Sequence, residues 1–253
     1  MCLAQNQWIG GKIITKLVAV FSVGCLAWLP GLTNGDTKYS ASLKITSNYV
    51  YRGYSKSRGH PAIQGNIDYE HRSGFFIGSW MSQVDFGDEN FNDRAHIEAN
   101  PYAGVSLGLF EDWRIDAALA GYLYDGKVYD RTADYAEVFA LLHFRDLVTA
   151  RWEVSYDAYN RGRSIVDYAV DMRLPLTDTA EVSGGVGYED ANAVLGYESI
   201  YWNIGTTWFL HKHASVDLHY YNAHLFGTQK GEIASFELST IGNHFVFSIS
   251  IGI

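Results

Sequence analysis

The sequence predicts an all-β protein: an antiparallel transmembrane β-barrel of about twelve strands, preceded by a cleaved signal peptide. Three observations lead to this fold class. Apolar and polar residues alternate in segments of roughly ten residues, short and long connectors alternate between these segments, and aromatic residues gather toward the segment ends. A soluble β-sandwich shows the same alternation, so the connectors and the aromatic residues decide between the two folds.

The N-terminal segment has the pattern of a signal peptide. Lys12 and Lys16 precede an apolar run over residues 17–29, and small and polar residues follow it. A membrane-spanning helix needs roughly 20 apolar residues, so this run is too short to serve as a transmembrane anchor. We therefore predict a signal peptide over residues 1–35 and an outer-membrane barrel over residues 36–253.

Both cysteines lie inside the predicted signal peptide. Loss of Cys2 and Cys25 would leave the mature barrel without disulfides or cysteine metal sites, which suits export to an oxidising compartment. Cys25 also raises the possibility of lipidation, but Ser22 stands where such signals usually carry a leucine-like residue. The formal net charge of −9 makes nucleic acid an unsuitable partner.

Each predicted strand has one apolar and one polar face. In the first strand Leu43 and Ile45 alternate with Lys44 and Thr46, and later segments repeat this pattern. An even number of strands returns both ends of the barrel to the periplasm, so the alternating segment 232–240 is assigned to the last external loop. The predicted strands are 40–52, 61–71, 74–86, 94–108, 112–124, 134–144, 149–159, 164–174, 179–188, 198–210, 213–223 and 243–253.

The connectors and the aromatic residues favour a membrane barrel. Short turns are predicted near residues 72–73, 110–111, 145–147, 175–178 and 210–212, and longer loops near 53–60, 87–93, 125–132, 160–163, 189–196 and 224–242. The last strand alternates from Phe245 to Ile253, as a closing strand with one lipid-facing side requires. The predicted interfacial aromatic residues are Tyr49, Tyr51, Trp80, Phe86, Trp113, Phe144, Trp152, Tyr188 and Trp208.

Residues 47–86 carry motifs that resemble a known family. The run SNYVYRG at 47–53 is followed by PAIQG at 61–65, SGFFIGSW at 73–80 and VDF at 84–86. Together they resemble the Gcw_chp family of proteobacterial outer-membrane proteins, also described as TorF-type porins. The likeness continues to about residue 104 and then becomes a shared strand layout. The resemblance implies an exported barrel and a pore, without established catalytic or binding residues.

The polar faces predict an acidic lumen. Carboxylates that line a pore concentrate cations, so we expect a narrow water-filled channel for passive uptake of small hydrophilic solutes, cationic or zwitterionic. Alternatively, these charges pair across the interior and leave a non-conducting structural or adhesive barrel. The predicted pore-lining residues are Arg52, Asp68, Asp85, Glu98, Arg114, Asp116, Glu137, Arg151, Glu153, Asp157, Asp167, Asp171, Arg173, Glu181 and Asp217.

A second alternative is an outer-membrane enzyme that hydrolyses lipids or peptides. The candidate pairs His71 with Ser73 and His213 with Ser215 fall at predicted periplasmic turns, whereas an enzyme acting on outer-leaflet lipid needs them at the opposite end. We therefore predict no catalytic residue and no enzyme. His211 lies close to His213, but no third ligand completes a metal site, and no cofactor is predicted.

Arg52 and Gly53 stand where the first strand meets the first external loop. They predict either a basic pore mouth opposite acidic walls, or a turn glycine followed by a solvated basic loop. The glycines from Gly184 to Gly187 lack the lysine and the helix of a phosphate loop, and are expected to allow either a bend in the strand or close packing inside the barrel. The expected location is the bacterial outer membrane. The expected partners are its lipids, the barrel-assembly machinery during insertion, and small hydrophilic solutes.

Overall fold

A computed structural model of the protein describes residues 37–87, 93–128, 131–227 and 241–253. The predicted signal peptide and the segment 232–240 lie outside the described residues. Twelve antiparallel strands form a closed barrel, in which each strand pairs with its neighbour in the chain and the first pairs with the last. The barrel strands are β1 (Thr37–Thr46), β4 (Ala62–His71), β5 (Phe75–Gln83), β6 (Ile97–Phe110), β7 (Trp113–Tyr124), β8 (Tyr135–Phe144), β9 (Val148–Ser155), β10 (Ile165–Thr177), β11 (Ala180–Asp190), β12 (Glu198–His211), β13 (Ala214–Phe226) and β14 (His244–Gly252).

Three short elements lie between the barrel strands. Strands β2 (Val50–Tyr51) and β3 (Tyr54–Ser55) form a separate small hairpin between β1 and β4. A 3₁₀ turn covers Ala158–Asn160, and one helical turn, α1, covers Asn192–Leu195. No helix in the described part of the chain is long and apolar enough to cross a membrane.

The two faces of the barrel wall differ as the alternation predicts. Ile67 on β4 is 68% exposed and Ile204 on β12 is 54% exposed, because both point outward, whereas the neighbouring Asp68 and Asn66 are buried inside. An apolar outer surface around a polar interior is the arrangement that a lipid bilayer requires. The predicted fold class is confirmed.

Connector lengths alternate around the barrel. The short turns are 72–74, 111–112, 145–147, 178–179 and 212–213, and the long connections are 47–61, 84–96, 125–134, 156–164, 191–197 and 227–243. The start of β1 and the end of β14 lie at the short-turn end, because Thr37 pairs with His71 and Gly252 pairs with Ser42. The predicted alternation is confirmed.

Four aromatic residues predicted for the membrane interface pack in or against the interior cluster instead: Tyr49, Tyr51, Trp80 and Phe86. The first strand was predicted to run to residue 52, but β1 ends at Thr46, and the chain then turns inward with Tyr49 buried and Tyr51 packed against the interior cluster. Trp80 pairs across the sheet with the inward Asn66 and is also buried. The period-2 pattern continued past the end of the strand, so it could not show this change of direction.

Two glycines of β11 allow bulky side chains to lie against the inner wall. A Cβ added at Gly185 would collide with the Asp171 carboxylate, and one added at Gly187 would collide with the Tyr201 ring. Asp171 and Tyr201 are the direct cross-strand neighbours of these glycines. The prediction that small residues here permit close packing inside the barrel is confirmed.

Candidate functional site

Residues 47–61, called here the inward loop, leave β1 and cross the barrel interior before they enter β4. The tip is the turn between β2 and β3, where Arg52 and Gly53 have φ angles of 46° and 83°. A Cβ at Gly53 would lie 2.5 Å from Ala223 Cβ and 2.8 Å from Tyr201 Cβ, so the tip touches the wall at β12 and β13. Glycine suits both the left-handed backbone and this close approach.

Hydrogen bonds within the inward loop fix its shape. Asn48 Oδ1 accepts hydrogen bonds from Ser55 Oγ at 2.5 Å and from Ser57 Oγ at 3.0 Å. The Tyr49 N–H donates to Ser57 Oγ at 2.8 Å, and the Lys56 N–H donates to the Tyr49 carbonyl at 2.8 Å. Because these bonds connect both arms of the loop, its two buried cationic side chains, Arg52 and Lys56, are held in defined positions.

Four acidic residues on neighbouring strands form what we call the carboxylate row: Glu137 on β8, Glu153 on β9, Asp167 on β10 and Glu189 on β11. Glu153 pairs directly with Asp167, and Asp167 pairs directly with Glu189. Like charges opposite one another on adjacent strands destabilise a sheet. The row therefore needs a cation in front of it.

The Arg52 guanidinium supplies that cation. Its Nη2 lies 2.5 Å from Glu153 Oε2 and 3.1 Å from Glu137 Oε2. Its Nη1 lies 3.0 Å from Glu189 Oε1, and its Nε lies 3.6 Å from Asp167 Oδ2. All five side chains are buried. One guanidinium thus bridges four strands of the wall, which makes charge-assisted contacts that are stronger than neutral hydrogen bonds.

The second cation of the inward loop has its own partner on the wall. Lys56 Nζ lies 2.8 Å from Glu98 Oε2, and both side chains are 0% exposed. Tyr49 Oη donates to the other Glu98 oxygen at 3.2 Å. The ammonium also lies 4.3 Å from the ring centroid of Tyr51 and 5.2 Å from that of Tyr122, within the range of cation–π attraction.

Burial and the wall carboxylates act in opposite directions on the two loop cations. Burial lowers the pKa of Lys56 below its ordinary value, although Glu98 opposes that change. Burial also disfavours the charged form of Arg52, but the carboxylate row outweighs it and raises the pKa of Arg52 well above its ordinary value. The pKa values of the two side chains are therefore shifted in opposite directions.

A second guanidinium lies beside the row on the wall itself. Arg151 Nη1 lies 2.7 Å from Glu153 Oε1, and Arg151 Nε lies 2.8 Å from Asp171 Oδ2. Together with Asp171, five carboxylates therefore surround the two guanidinium groups of Arg52 and Arg151. The region keeps an excess of negative charge even with the loop in place.

The other predicted pore-lining residues on the strands point inward and have polar partners. Asp116 accepts from His143 Nε2 at 2.9 Å, and Arg114 Nη1 lies 3.2 Å from the same carboxylate. Further pairs join Asp68 with Tyr102, Arg173 with Glu181, and Asp217 with Thr207.

Three placements differ from the sequence prediction. β5 ends at Gln83 and β9 ends at Ser155, so Asp85 and Asp157 lie in loops, where each accepts a hydrogen bond from a nearby glycine N–H. The predicted strands end at residues 86 and 159, three and four residues later than the observed strands. Gly53 is the expected turn glycine, but the loop around it is not solvated, because Arg52 is buried in the lumen.

Sequence reasoning placed Lys56 only in the basic loop after Gly53 and missed Tyr122 as part of the site. A signal for the inward loop was present, since Tyr49, Tyr51 and Tyr54 make residues 49–54 unusually aromatic for an external loop. The wall partners carried no such signal, because pairing between distant strands depends on barrel closure.

The candidate enzyme and metal residues lie at the short-turn end. His71 Nδ1 contacts Ser73 Oγ at 2.8 Å in an exposed turn, and the rings of His211 and His213 lie 5.3 Å apart. Among the residues that the structure describes, no group of three or more His, Cys, Asp or Glu side chains could hold a metal ion.

A closed barrel with an apolar outer surface and a charged lumen is the fold of outer-membrane β-barrels. Among solved structures, the chain is similar to the KdgM porin, with a TM-score of 0.50, 8% identity, and coverage of 85% of this chain and 99% of that chain. The structure entitled KdgM porin in complex with disordered oligogalacturonate gives a TM-score of 0.52 at 6% identity, covering 86% of this chain and 99% of that chain. Acinetobacter baumannii Omp33 gives 0.47 at 8% identity, covering 86% and 99%.

The protein belongs to the Gcw_chp family, bacterial proteins of unknown function, whose model matches residues 32–243. The suspected family is thereby confirmed. No curated protein sequence matches the chain.

Proposed function

We propose that this protein is an outer-membrane porin, a narrow channel for passive uptake of small hydrophilic solutes that are cationic or zwitterionic. The observation that carries the proposal is the charged lumen. Replacing buried ion pairs by apolar residues is often neutral or stabilising, so a barrel with only a structural role gains little from this interior. An excess of acids along the wall does suit the passage of cations.

The inward loop constricts the channel in the conformation described above. Glu98, Asp116 and Asp167 are all fully shielded from solvent although they point into the lumen. The hairpin of β2 and β3 does not belong to the barrel sheet, so the loop can move while the wall stays closed. Conduction is therefore expected to require displacement of residues 47–61.

A non-conducting structural barrel is the second candidate. The ion pairs of Arg52 and Lys56 with the wall support it, because they fill the interior with side chains that are paired with one another. The two candidates differ in one consequence. A porin conducts when the loop cations are weakened, whereas a structural barrel then loses stability without conducting.

The test is single-channel recording of refolded protein in a planar bilayer under a KCl gradient, beside the Arg52→Gln variant. We expect this variant to open more often and to shift the reversal potential toward cation selectivity, since a positive charge leaves and four carboxylates stay. Arg145→Gln is the matched control, because Arg145 lies in a short turn and pairs with Asp112 outside the lumen. Absence of conductance in both wild type and Arg52→Gln would favour the structural barrel.

We expect no hydrolase activity from this protein. Its solved structural neighbours are described as porins, and the contact of His71 with Ser73 lies at the short-turn end, away from the outer leaflet. Cleavage of lipid or peptide by purified protein, lost on replacement of His71, would contradict this.

The protein should sediment with outer membranes and show heat-modifiable gel migration. Its expected partners are outer-membrane lipids and, during insertion, the barrel-assembly machinery.

A further inference from the structure

The carboxylate row is occupied by a side chain that does not belong to the wall. Glu153, Asp167 and Glu189 face one another directly across three strands, and the cation that touches all of them comes from the tip of the inward loop. Arg151, on the wall itself, pairs with Glu153 of the row and with Asp171 outside it. If the loop withdraws, like charges remain directly opposite one another on adjacent strands, and another cation bound there would relieve their repulsion.

Arg52 does not use every polar group that the site offers. Ser199 lies directly across from Glu189, and Ser155 follows Glu153 by two residues on the same inner face. Both serines are buried, and their Oγ atoms have no hydrogen-bond partner within the described part of the chain. Arg52 Nε also makes no hydrogen bond there. The site therefore has unfilled capacity for a ligand with more donors and acceptors than the loop supplies.

The geometry of the site indicates which cation it would take. A guanidinium presents several N–H donors in one plane and matches adjacent carboxylates better than an ammonium or a metal ion does. Beside the row, the Glu98 carboxylate and the Tyr122 ring form a second cation-binding position, which Lys56 occupies. Arg52 and Lys56 both lie on the Tyr51 ring, at 4.7 and 4.3 Å from its centroid, so the two cations are close together.

We propose that the carboxylate row is a binding site for organic cations that carry a guanidinium group. In the loop-bound state the Arg52 guanidinium occupies the same carboxylates, so it competes with such a ligand. A dication with a guanidinium at one end and an ammonium at the other would satisfy the row and Glu98 together and displace the inward loop. The inference rests on the proposed porin function, since it names the solute class that opens the channel.

The long-loop end of the barrel has a cavity that shares the residue Tyr124 with the surroundings of Lys56. This cavity of about 420 Å³ is lined by Asp93, Arg94, His96 and Tyr124, among others. Tyr124 Oη also lies 3.5 Å from Lys56 Nζ, so the wall of the cavity contacts the loop cation.

The test is agmatine binding, measured by isothermal titration calorimetry on the refolded barrel in detergent. Arg52→Gln should bind agmatine about tenfold or more tightly than wild type, because the internal competitor is gone. Adding Asp167→Asn to Arg52→Gln should remove this gain. Adding Asp217→Asn instead should keep it, because Asp217 is a lumen carboxylate outside the row that bonds to Thr207. Equal affinity of wild type and Arg52→Gln, or equal loss with both added substitutions, would overturn the proposal.

A second measurement keeps Arg52 in place and does not depend on folding of the variant above. Ser57 is buried in the inward loop, so a Ser57→Cys thiol, in a chain without Cys2 and Cys25, should react slowly with maleimide. Agmatine should accelerate the reaction, and KCl at the same ionic strength should not. An unchanged rate with agmatine would refute displacement of the loop. Neither measurement requires conductance, so a barrel that binds agmatine but never conducts refutes the porin and leaves the binding site standing.

Discussion

Replacement of Lys56 by methionine tests whether the inward loop is held in the lumen by charge. Lys56 and Glu98 are both 0% exposed and 2.8 Å apart, with no room for water to screen either group. Methionine keeps most of the side-chain volume and removes the ammonium. The Glu98 carboxylate then remains buried beside Tyr49 without its cation.

The size of the effect follows from that burial. Removing one partner of a buried ion pair costs about 3–5 kcal/mol, because the other charge is left uncompensated. Since each 1.4 kcal/mol is a factor of ten, the equilibrium between the loop inside the lumen and the loop withdrawn from it should move by about two to three and a half orders of magnitude toward the withdrawn state. Withdrawal returns Glu98 to water, which is why the loop and not the barrel wall should respond.

The assay is the open probability in single-channel recordings, with the unfolding midpoint on heat-modifiable gels as the check of barrel integrity. Lys56→Met should open far more often than wild type while the midpoint of the barrel changes little. The matched control is Lys56→Met combined with Glu98→Gln, which removes the orphaned charge and completes a double-mutant cycle. This double variant should close again, in large part.

Two results would refute the reasoning. The first is a Lys56→Met channel that stays as closed as wild type, which would mean that packing and not charge holds the loop. The second is a double variant that is more open than the single one, because it would show that Glu98 stabilises the loop by some means other than pairing with Lys56.

Two further predictions concern the loop tip and the lipid-facing wall. Gly53→Ala should displace the tip and raise conductance, because the added Cβ would collide with the wall. Gly59 has a similar φ, but a Cβ added there meets nothing within 4 Å, so Gly59→Ala reports backbone strain alone. Equal conductance of the two variants would argue against the collision. Ile204→Arg, near the middle of β12, should cost about 2–4 kcal/mol in urea titrations of folding into liposomes, and Leu210→Arg, on the same outer face near the strand end, about 0–1 kcal/mol. Equal costs would contradict the membrane placement of this strand.

Sequence pattern was sufficient for the barrel wall. Residues such as Ile67 and Ile204 alternate with inward polar residues, and in a two-faced wall that alternation specifies both the strand and its orientation. Strand ends were less well defined, as Asp85 and Asp157 show, since polar loop residues continue the same alternation for one or two positions.

The candidate site was predictable only as an acidic lumen. Glu137, Glu153 and Asp167 were assigned correctly to the inner face, but their common contact with Arg52 depends on a loop that folds back into the barrel. Sequence distance gives no measure of that contact: Arg52 and Glu189 are 137 residues apart in the chain. Barrel closure brings them together.

The division of charge between wall and loop is the main argument for a channel over a filled barrel. If Arg52 and Lys56 stood on the wall strands, as Arg151 does, the interior would be neutralised permanently and the ion pairs would serve stability alone. Instead, the acids are fixed in the sheet and these two cations lie on a segment outside it. The lumen therefore differs between the two positions of the loop. With the loop inside, the wall acids contact the loop cations and water is excluded; with the loop withdrawn, the lumen is acidic and filled with water. A solute that binds the lumen better with the inward loop withdrawn would shift the loop toward that state, and would thereby open the channel for its own passage.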